Sequence, residues 1–501
     1  MAAVTPMVNL DPQTHPIDDG NMGIRNLRDQ VNSIQNLPRT GYPIVLVPGF
    51  SGWGRPLLGT VNYFGGFEDL ALGLSTLGYV VIVELSWVKS HSTTRCRRSL
   101  WANSGSGFDL PGAPATLIPV YFGLNHPAFN PANPAYPALL NNAQTWQAVV
   151  YNPPATAAHL PPTWTWSAAN KVHFICHSQG GTTIRYLIEL LRGLNRDFVA
   201  INAGNRQDWV KSVVTLGTPH KGTTVTDVVQ DFVTSCSFES RPNRVYDLHL
   251  DHWGFSRNPG EFYSQMRARI AGDVTLWWNG GNHGLEDNSL QGAAALNAYA
   301  PSPATYYFTM SFCATVPFPN ETLTAAEVND LFALLPIVPT FNIGGIFGKF
   351  WAPILTAIRA REFLTWMTNV ANNHLGNLGY FAQIPPPGLQ IPRPDVLPLL
   401  LFPAYAMGGL NTPPPPGILG MTADQLQPND GIVNTISMDG PVAGPIRDGT
   451  NFATQLQVAI GAGDLQLVRG QYWHLHSNST IDHADQIGVF TNPATVSFYP
   501  L

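Results

Sequence analysis

Residues 176–181 read Cys-His-Ser-Gln-Gly-Gly and close the apolar run Lys171–Cys176. A strand that ends on a serine, with a helix starting at once, makes a nucleophile elbow. The turn forces the serine into a strained backbone conformation and lifts its hydroxyl clear of the sheet. The residues two before and two after the serine must be small, because strand and helix nearly touch there. Gly180 meets that need, and Cys176 stands where the pattern Gly-x-Ser-x-Gly has its first glycine. Ser178 is therefore the candidate nucleophile for acyl transfer. The helix start adds positive dipole, and the N–H of Gln179 points where an oxyanion would form. A structural serine in a glycine-rich turn would look the same over five residues. Cys176 as nucleophile beside His177 is the poorer reading, since adjacent strand residues face opposite sides.

A second oxyanion donor should come from the loop after an early strand. Pro48-Gly49-Phe50-Ser51-Gly52-Trp53-Gly54 follows the first apolar run, which makes the N–H of Phe50 the candidate. This chemistry takes its parts in the order serine, carboxylate, histidine. Asn429-Asp430-Gly431-Ile432-Val433-Asn434 sets Asp430 in a tight turn, as suits an acid that must orient a histidine. His483, after Asp482, is the candidate base, and spacing alone leaves His474 and His476 open as rivals.

Ile44–Val47, after Pro43, reads as a buried strand. Phe67, Leu70, Leu74 and Leu77 lie on one face of a helix stopped by Gly78, and Val80–Leu85 reads as a second strand. Strand, helix and strand within about 45 residues make a βαβ unit, hence parallel and right-handed. Lys171–Cys176, Ser212–Leu216 and Tyr306–Ser311 add strands, and Gly181–Arg192 a helix. The expected fold is α/β: an α/β-hydrolase with a mostly parallel sheet, flanking helices and large cap and lid insertions. Residues 1–40 read as a polar arm and 41–501 as the hydrolase domain. Insertions are expected at 101–165 on the rim, at 224–244 as a lid and at 320–420 as a cap. The last holds an apolar stretch, Phe347–Trp366, and proline clusters at 385–387 and 413–416. Compact domains rarely carry a structureless loop of that length.

The 501 residues are 44% hydrophobic and only 12% charged, against roughly 25% charged in ordinary soluble domains. A net charge of −6 argues against nucleic acid, which needs a basic footprint. So neutral a surface, with 44 Pro and 25 Phe, suits a hydrophobic substrate and transient contact with a lipid interface. No run approaches the ~18–20 apolar residues of a transmembrane helix. Met1–Gly20 lacks the basic and apolar regions of a secretory signal, which implies a cytoplasmic protein if the chain is full-length. Cys96, Cys176, Cys236 and Cys313 show no metal spacing; buried thiols are the default, and a disulfide is the alternative in an exported protein. No cofactor is expected.

Six blocks of the chain resemble, in order, the thermoalkaliphilic and staphylococcal lipases of the α/β-hydrolase superfamily. Val47–Gly54 resembles the oxyanion loop, with Pro48 where a His is usual, and Cys176–Gly181 the elbow. Thr218–Thr224 is similar to the segment entering the lid, and Val245–Gly254 to the block after it. Asn429–Thr435 and Ile481–His483 resemble the blocks bearing acid and base. The resemblance implies Ser178 as nucleophile, His483 as base, Asp430 as orienting acid, and the N–H groups of Phe50 and Gln179 as oxyanion donors. It also implies a lipase or carboxylesterase acting on hydrophobic esters, and related lipases are usually secreted. An acyltransferase or polyesterase would use the same triad, and a non-catalytic binding protein could share the fold. Thermophilic members bind zinc through two Asp and two His. Here Asp251 matches one Asp, Thr93 lies near the other, and the His pair has no counterpart, so no metal is expected. Asp485 matches one calcium ligand of the family, but Phe490 stands where another carboxylate belongs. The lid segment is short, and part of its role is expected to pass to residues 320–420.

Overall fold

The computed structural model describes residues 41–50, 52, 62–66, 69–83, 118–119, 145–146, 149–156, 159–161, 164, 166–192, 206–228, 265, 284–317, 390–392, 396–409, 420–479 and 481–488. Eight strands form one sheet. In chain order they are β1 (Ile44–Val47), β2 (Val81–Val83), β3 (Val149–Tyr151), β4 (Val172–His177), β5 (Val210–Leu216), β6 (Tyr306–Phe312), β7 (Ile446–Asp448) and β8 (Tyr472–Asn478). Their spatial order is β7-β8-β6-β5-β4-β1-β2-β3, and only the β2–β3 pairing is antiparallel. The sheet is thus the mostly parallel one of an α/β-hydrolase. Each strand that was read from an apolar run is present, most with ends shifted by one or two residues. β3 lies inside the segment expected as a rim insertion. Most of that segment, the arm 1–40, most of the lid 224–244 and most of the cap 320–420 lie outside the described residues.

The middle strands are covered on both faces, so they read as continuous apolar runs rather than alternating ones. Successive side chains still part to opposite sides. Val45 and Val47 of β1 join Phe174 and Cys176 of β4 in a core with Ile184, Leu187 and Leu191 of helix α2 (Gln179–Arg192). Leu46 faces the other way, onto Val81, Val83, Tyr63, Phe64 and Ala71. Ala71 belongs to helix α1 (Leu70–Thr76), which starts where the Asp69 side chain accepts the N–H of Leu72 at 2.9 Å. Gly78, at φ 98°, turns the chain out of it. Helix α3 (Leu290–Leu296) has Ser289 as N-cap, α4 (Pro398–Gly409) closes the cap segment, and α5 (Phe452–Ala462) packs Phe452 and Leu456 on Trp473 of β8.

The loops that matter leave the C-terminal ends of β1, β4, β5, β6 and β8. The chain runs from β1 outward to β2 on one side and from β4 to β5, β6 and β8 on the other. The order therefore reverses between β1 and β4, and a crevice at such a switch point is where open α/β sheets bind ligands. Strand and helix meet most tightly there. A Cβ on Gly180 would lie 2.7 Å from the carbonyl oxygen of Val47 and 2.8 Å from that of Pro48. Gly180→Ala is therefore expected to destabilise the fold by about 1–3 kcal/mol, despite alanine's better helix propensity. Denaturant unfolding at equal m-value reads this, and an unchanged or raised midpoint would refute the close approach.

Candidate active site

Ser178 follows β4 directly, at φ 54°, the one non-glycine residue with positive φ among those described. Such a conformation costs about 1–3 kcal/mol and persists only where its surroundings hold it. Here they do. The N–H of Ser178 donates to the Leu216 carbonyl at 2.8 Å. Its own carbonyl accepts from Thr218 Oγ1 at 2.8 Å and from the N–H of Gly181 at 3.1 Å. Gly181 must lack a side chain, because a Cβ there would run into Thr218. The Thr218-Pro219-His220 segment thus buttresses the elbow from the end of β5. Cys176 is fully buried in the core, which leaves it no role as the attacking group.

Gly49, the first residue past Pro48, approaches the serine directly. A Cβ on it would come within 2.7 Å of Ser178 Cβ. The loop then turns back, with the N–H of Gly52 on the Gly49 carbonyl at 3.0 Å, and exposes Phe50. Both residues named as oxyanion donors converge on Gly284. A Cβ there would collide with Gln179 Nε2 and lie 3.2 Å from Phe50 Cδ2. Sequence reasoning gave Gly284 no part, and a lone glycine in a stretch without a motif offers no signal.

Asp430 and His483 meet: His483 Nδ1 is 2.7 Å from Asp430 Oδ2. The Asp430 carboxylate is fully buried, and each oxygen has two donors. Oδ1 accepts the N–H groups of Ile432 (3.0 Å) and Val433 (2.7 Å); Oδ2 accepts from His483 and from Gln486 Nε2 (2.7 Å). A buried charge is tolerable only with such satisfaction. The turn explains itself residue by residue. Asn429 Oδ1 accepts the N–H of Gly431 at 2.9 Å, and Gly431 supplies a φ of 102°. Asn434 accepts the N–H of Thr224 at 2.8 Å and donates to the Leu426 carbonyl. Gln486 was missed in the sequence. It sits three residues after His483, and only the fold gives that spacing meaning.

The histidine turn is built by its own carboxylate. Asp482 Oδ1 accepts the N–H groups of Ala484 (2.9 Å) and Asp485 (3.0 Å). Oδ2 reaches the N–H of Leu397 at 2.7 Å, next to the start of α4. Burial pushes the Asp482 carboxyl above its usual range. The His483 backbone N–H donates to the Asp430 carbonyl at 2.9 Å, so the two residues are joined by main chain as well as side chain. The rings of His483 and His177, the residue before Ser178, have centroids 4.5 Å apart. That places His483 against the elbow. Of the rival bases, His474 instead meets Ser311 Oγ at 2.9 Å on β8, and His476 lies on the same strand.

Among the described residues no group of three or more His, Cys, Asp or Glu side chains could hold a metal ion. Asp485 Oδ2 is occupied by the N–H of Asp482 at 3.1 Å. Thr93, Asp251 and Phe490 lie outside the described residues. No described helix is long and apolar enough to cross a membrane.

Two further histidines are locked in neutral form. Burial first, and the nearby His483 second, hold His177 well below the ordinary histidine range. Burial, then Arg185 and Lys221, do the same to His220. The unfolded chain takes up protons near pH 6.5 while these two do not. Each of the two therefore makes stability rise with pH across that window and fall as pH drops below it. Unfolding at pH 7 and pH 5 should show this, with a shallower slope in His220→Asn. An equal slope in that variant would show that His220 titrates normally in the fold.

Comparison with known proteins bears on the family resemblance and the fold. Residues 162–351 match the family model described as the C-terminal domain of lipase-like proteins. The chain is 32% identical over 200 residues to a lipase of Staphylococcus epidermidis, a match covering 36% of this chain and 28% of that one. It thus spans under a third of the length of that relative. Among solved structures it superposes on EstA from Clostridium botulinum with a TM-score of 0.55 at 22% identity, over 92% of this chain and 87% of the other. Lipase 1 from Pelosinus fermentans gives 0.53 at 24% identity, over 92% and 97%. The resemblance to staphylococcal lipases and the α/β-hydrolase fold both hold.

Proposed function

We propose that the protein is a carboxylic ester hydrolase, a lipase or carboxylesterase that works through Ser178, Asp430 and His483. The contact between His483 Nδ1 and Asp430 Oδ2 carries the reading; beside it, the His483 ring lies 4.5 Å from that of His177, the residue before the strained Ser178. The names of the relatives support it.

In this mechanism Asp430 fixes the imidazole with Nδ1–H toward its own carboxylate and leaves Nε2 as the base. His483 takes the hydroxyl proton as Ser178 Oγ attacks the ester carbonyl. The carbonyl oxygen becomes an oxyanion held by the N–H groups of Phe50 and Gln179. The C–O bond breaks, the alcohol leaves with the proton from His483, and water repeats the sequence on the acyl-enzyme. The four donors on Asp430 hold that carboxylate in place while the imidazolium forms. Hydrophobic esters fit a chain with 12% charged residues. We read residues 41–501 as one hydrolase unit, with 320–420 as a cap whose far end is tied to the base turn by Leu397. The proposal includes transient contact with a lipid interface and no metal or other cofactor.

The test is hydrolysis of p-nitrophenyl butyrate and palmitate. Ser178→Ala should lower turnover by ~10⁴ or more. Asp430→Asn should lower it by about 10⁴, since the amide favours the wrong tautomer of the histidine. Hydrolysis that survives in Ser178→Ala would discard the assignment of the nucleophile. A wild type inactive on both esters but active in transferring an acyl group to an added alcohol would move the protein to the acyltransferases.

A further inference from the structure

We infer that Tyr63 is a positioning residue for this site, because its hydroxyl closes a one-directional hydrogen-bond chain that joins the oxyanion loop, the elbow and the base turn. The inference rests on the ester-hydrolase reading.

The N–H of Gly49 lies 2.9 Å from Tyr63 Oη, and Tyr63 Oη lies 2.7 Å from His177 Nδ1. His177 Nε2 lies 3.1 Å from the backbone carbonyl of His483. The proton order follows from chemistry. His177 is neutral, so it carries one N–H. Its Nε2 faces a carbonyl, which only accepts, so the proton is on Nε2. Nδ1 must then accept, and Tyr63 must donate to it. The Tyr63 oxygen, still an acceptor while it donates, takes the N–H of Gly49. Burial pushes the phenol far above its ordinary range, so the hydroxyl keeps the proton it donates.

The chain touches each working part next to, not at, its reacting atom. Gly49 precedes Phe50, His177 precedes Ser178, and the carbonyl belongs to His483 itself. Gly49 has no slack, because a Cβ there would meet Ser178 Cβ at 2.7 Å and Tyr63 Oη at 2.8 Å. The bond to Tyr63 thus sets the plane of the Pro48–Gly49 peptide, the one before the peptide that carries the Phe50 N–H. The ring has a separate job, packing on Phe64 at 5.1 Å between centroids and within the core of β1 and β2. Removal of the hydroxyl alone separates the two.

Tyr63→Phe keeps the ring. Sites are counted with a p-nitrophenyl phosphonate, and kcat and KM for p-nitrophenyl butyrate are taken per titrated site. The expected result is kcat lower by about 10- to 100-fold, less than the ~10²–10³ for deleting a donor outright, with KM within about twofold. His177→Gln should fall similarly, and the double variant no further than the worse single one, because a chain broken once is broken. A kcat per site within about twofold of wild type, or multiplying losses in the double variant, overturns the inference. ¹⁵N NMR of wild-type histidines tests the chain without catalysis. A His177 protonated on Nε2 supports it and one protonated on Nδ1 overturns it. A wild type inactive on every ester removes the parent reading and the catalytic half of this one, whereas the tautomer still decides the chain.

Discussion

The register of two adjacent strands governs everything above them. Val47 stands opposite Cys176 at the C-terminal ends of β1 and β4. That pairing puts the next residues of both strands, Pro48 to Phe50 and Ser178 to Gln179, in one corner. It also drives the first turn of α2 against the carbonyls of Val47 and Pro48, where only Gly180 fits. A slip of one residue would part Val47 from Cys176 and carry Gly180 off the one place it fits. The core and the site are therefore specified by one alignment.

Chemistry at this corner depends on groups that do not reorganise. Ser178 is held by its N–H and its carbonyl, so its conformation is set by Leu216, Thr218 and Gly181 rather than by its own preference. Asp430 has no open coordination, and His483 is bonded to it through main chain and side chain. Dipoles fixed in advance add no reorganisation cost at the moment charge develops. The strain at one serine is offset by bonds from three residues, two at the end of β5 and one in the first turn of α2.

Much of this was legible in the sequence. The apolar runs at 44–47, 171–176 and 212–216 announce buried parallel strands. The dense turn residues around Asp430 announce a rigid loop, and the strand-serine-helix order announces the elbow. Residues whose partners lie far along the chain were not legible. Tyr63 finds His177 across 114 positions, and Gln486 finds Asp430 across 56. Val149–Tyr151 reads as loop by composition, because a three-residue edge strand gets its definition from β2 and not from its own pattern. The tie from Leu397 to Asp482 is a backbone N–H to a carboxylate, and no residue type advertises the donor.

The margins of the sheet have a bearing on solubility. A chain with so few charges repels its own copies weakly, and an open strand margin is a template for another copy. Among the described residues the sheet ends in β7 and β3, each of three residues, and β7 presents exposed Arg447 and Asp448. Adjacent charges of opposite sign on so short a ribbon make it a poor seed for stacking. Charge at that border discourages edge-to-edge pairing between folded copies at high concentration.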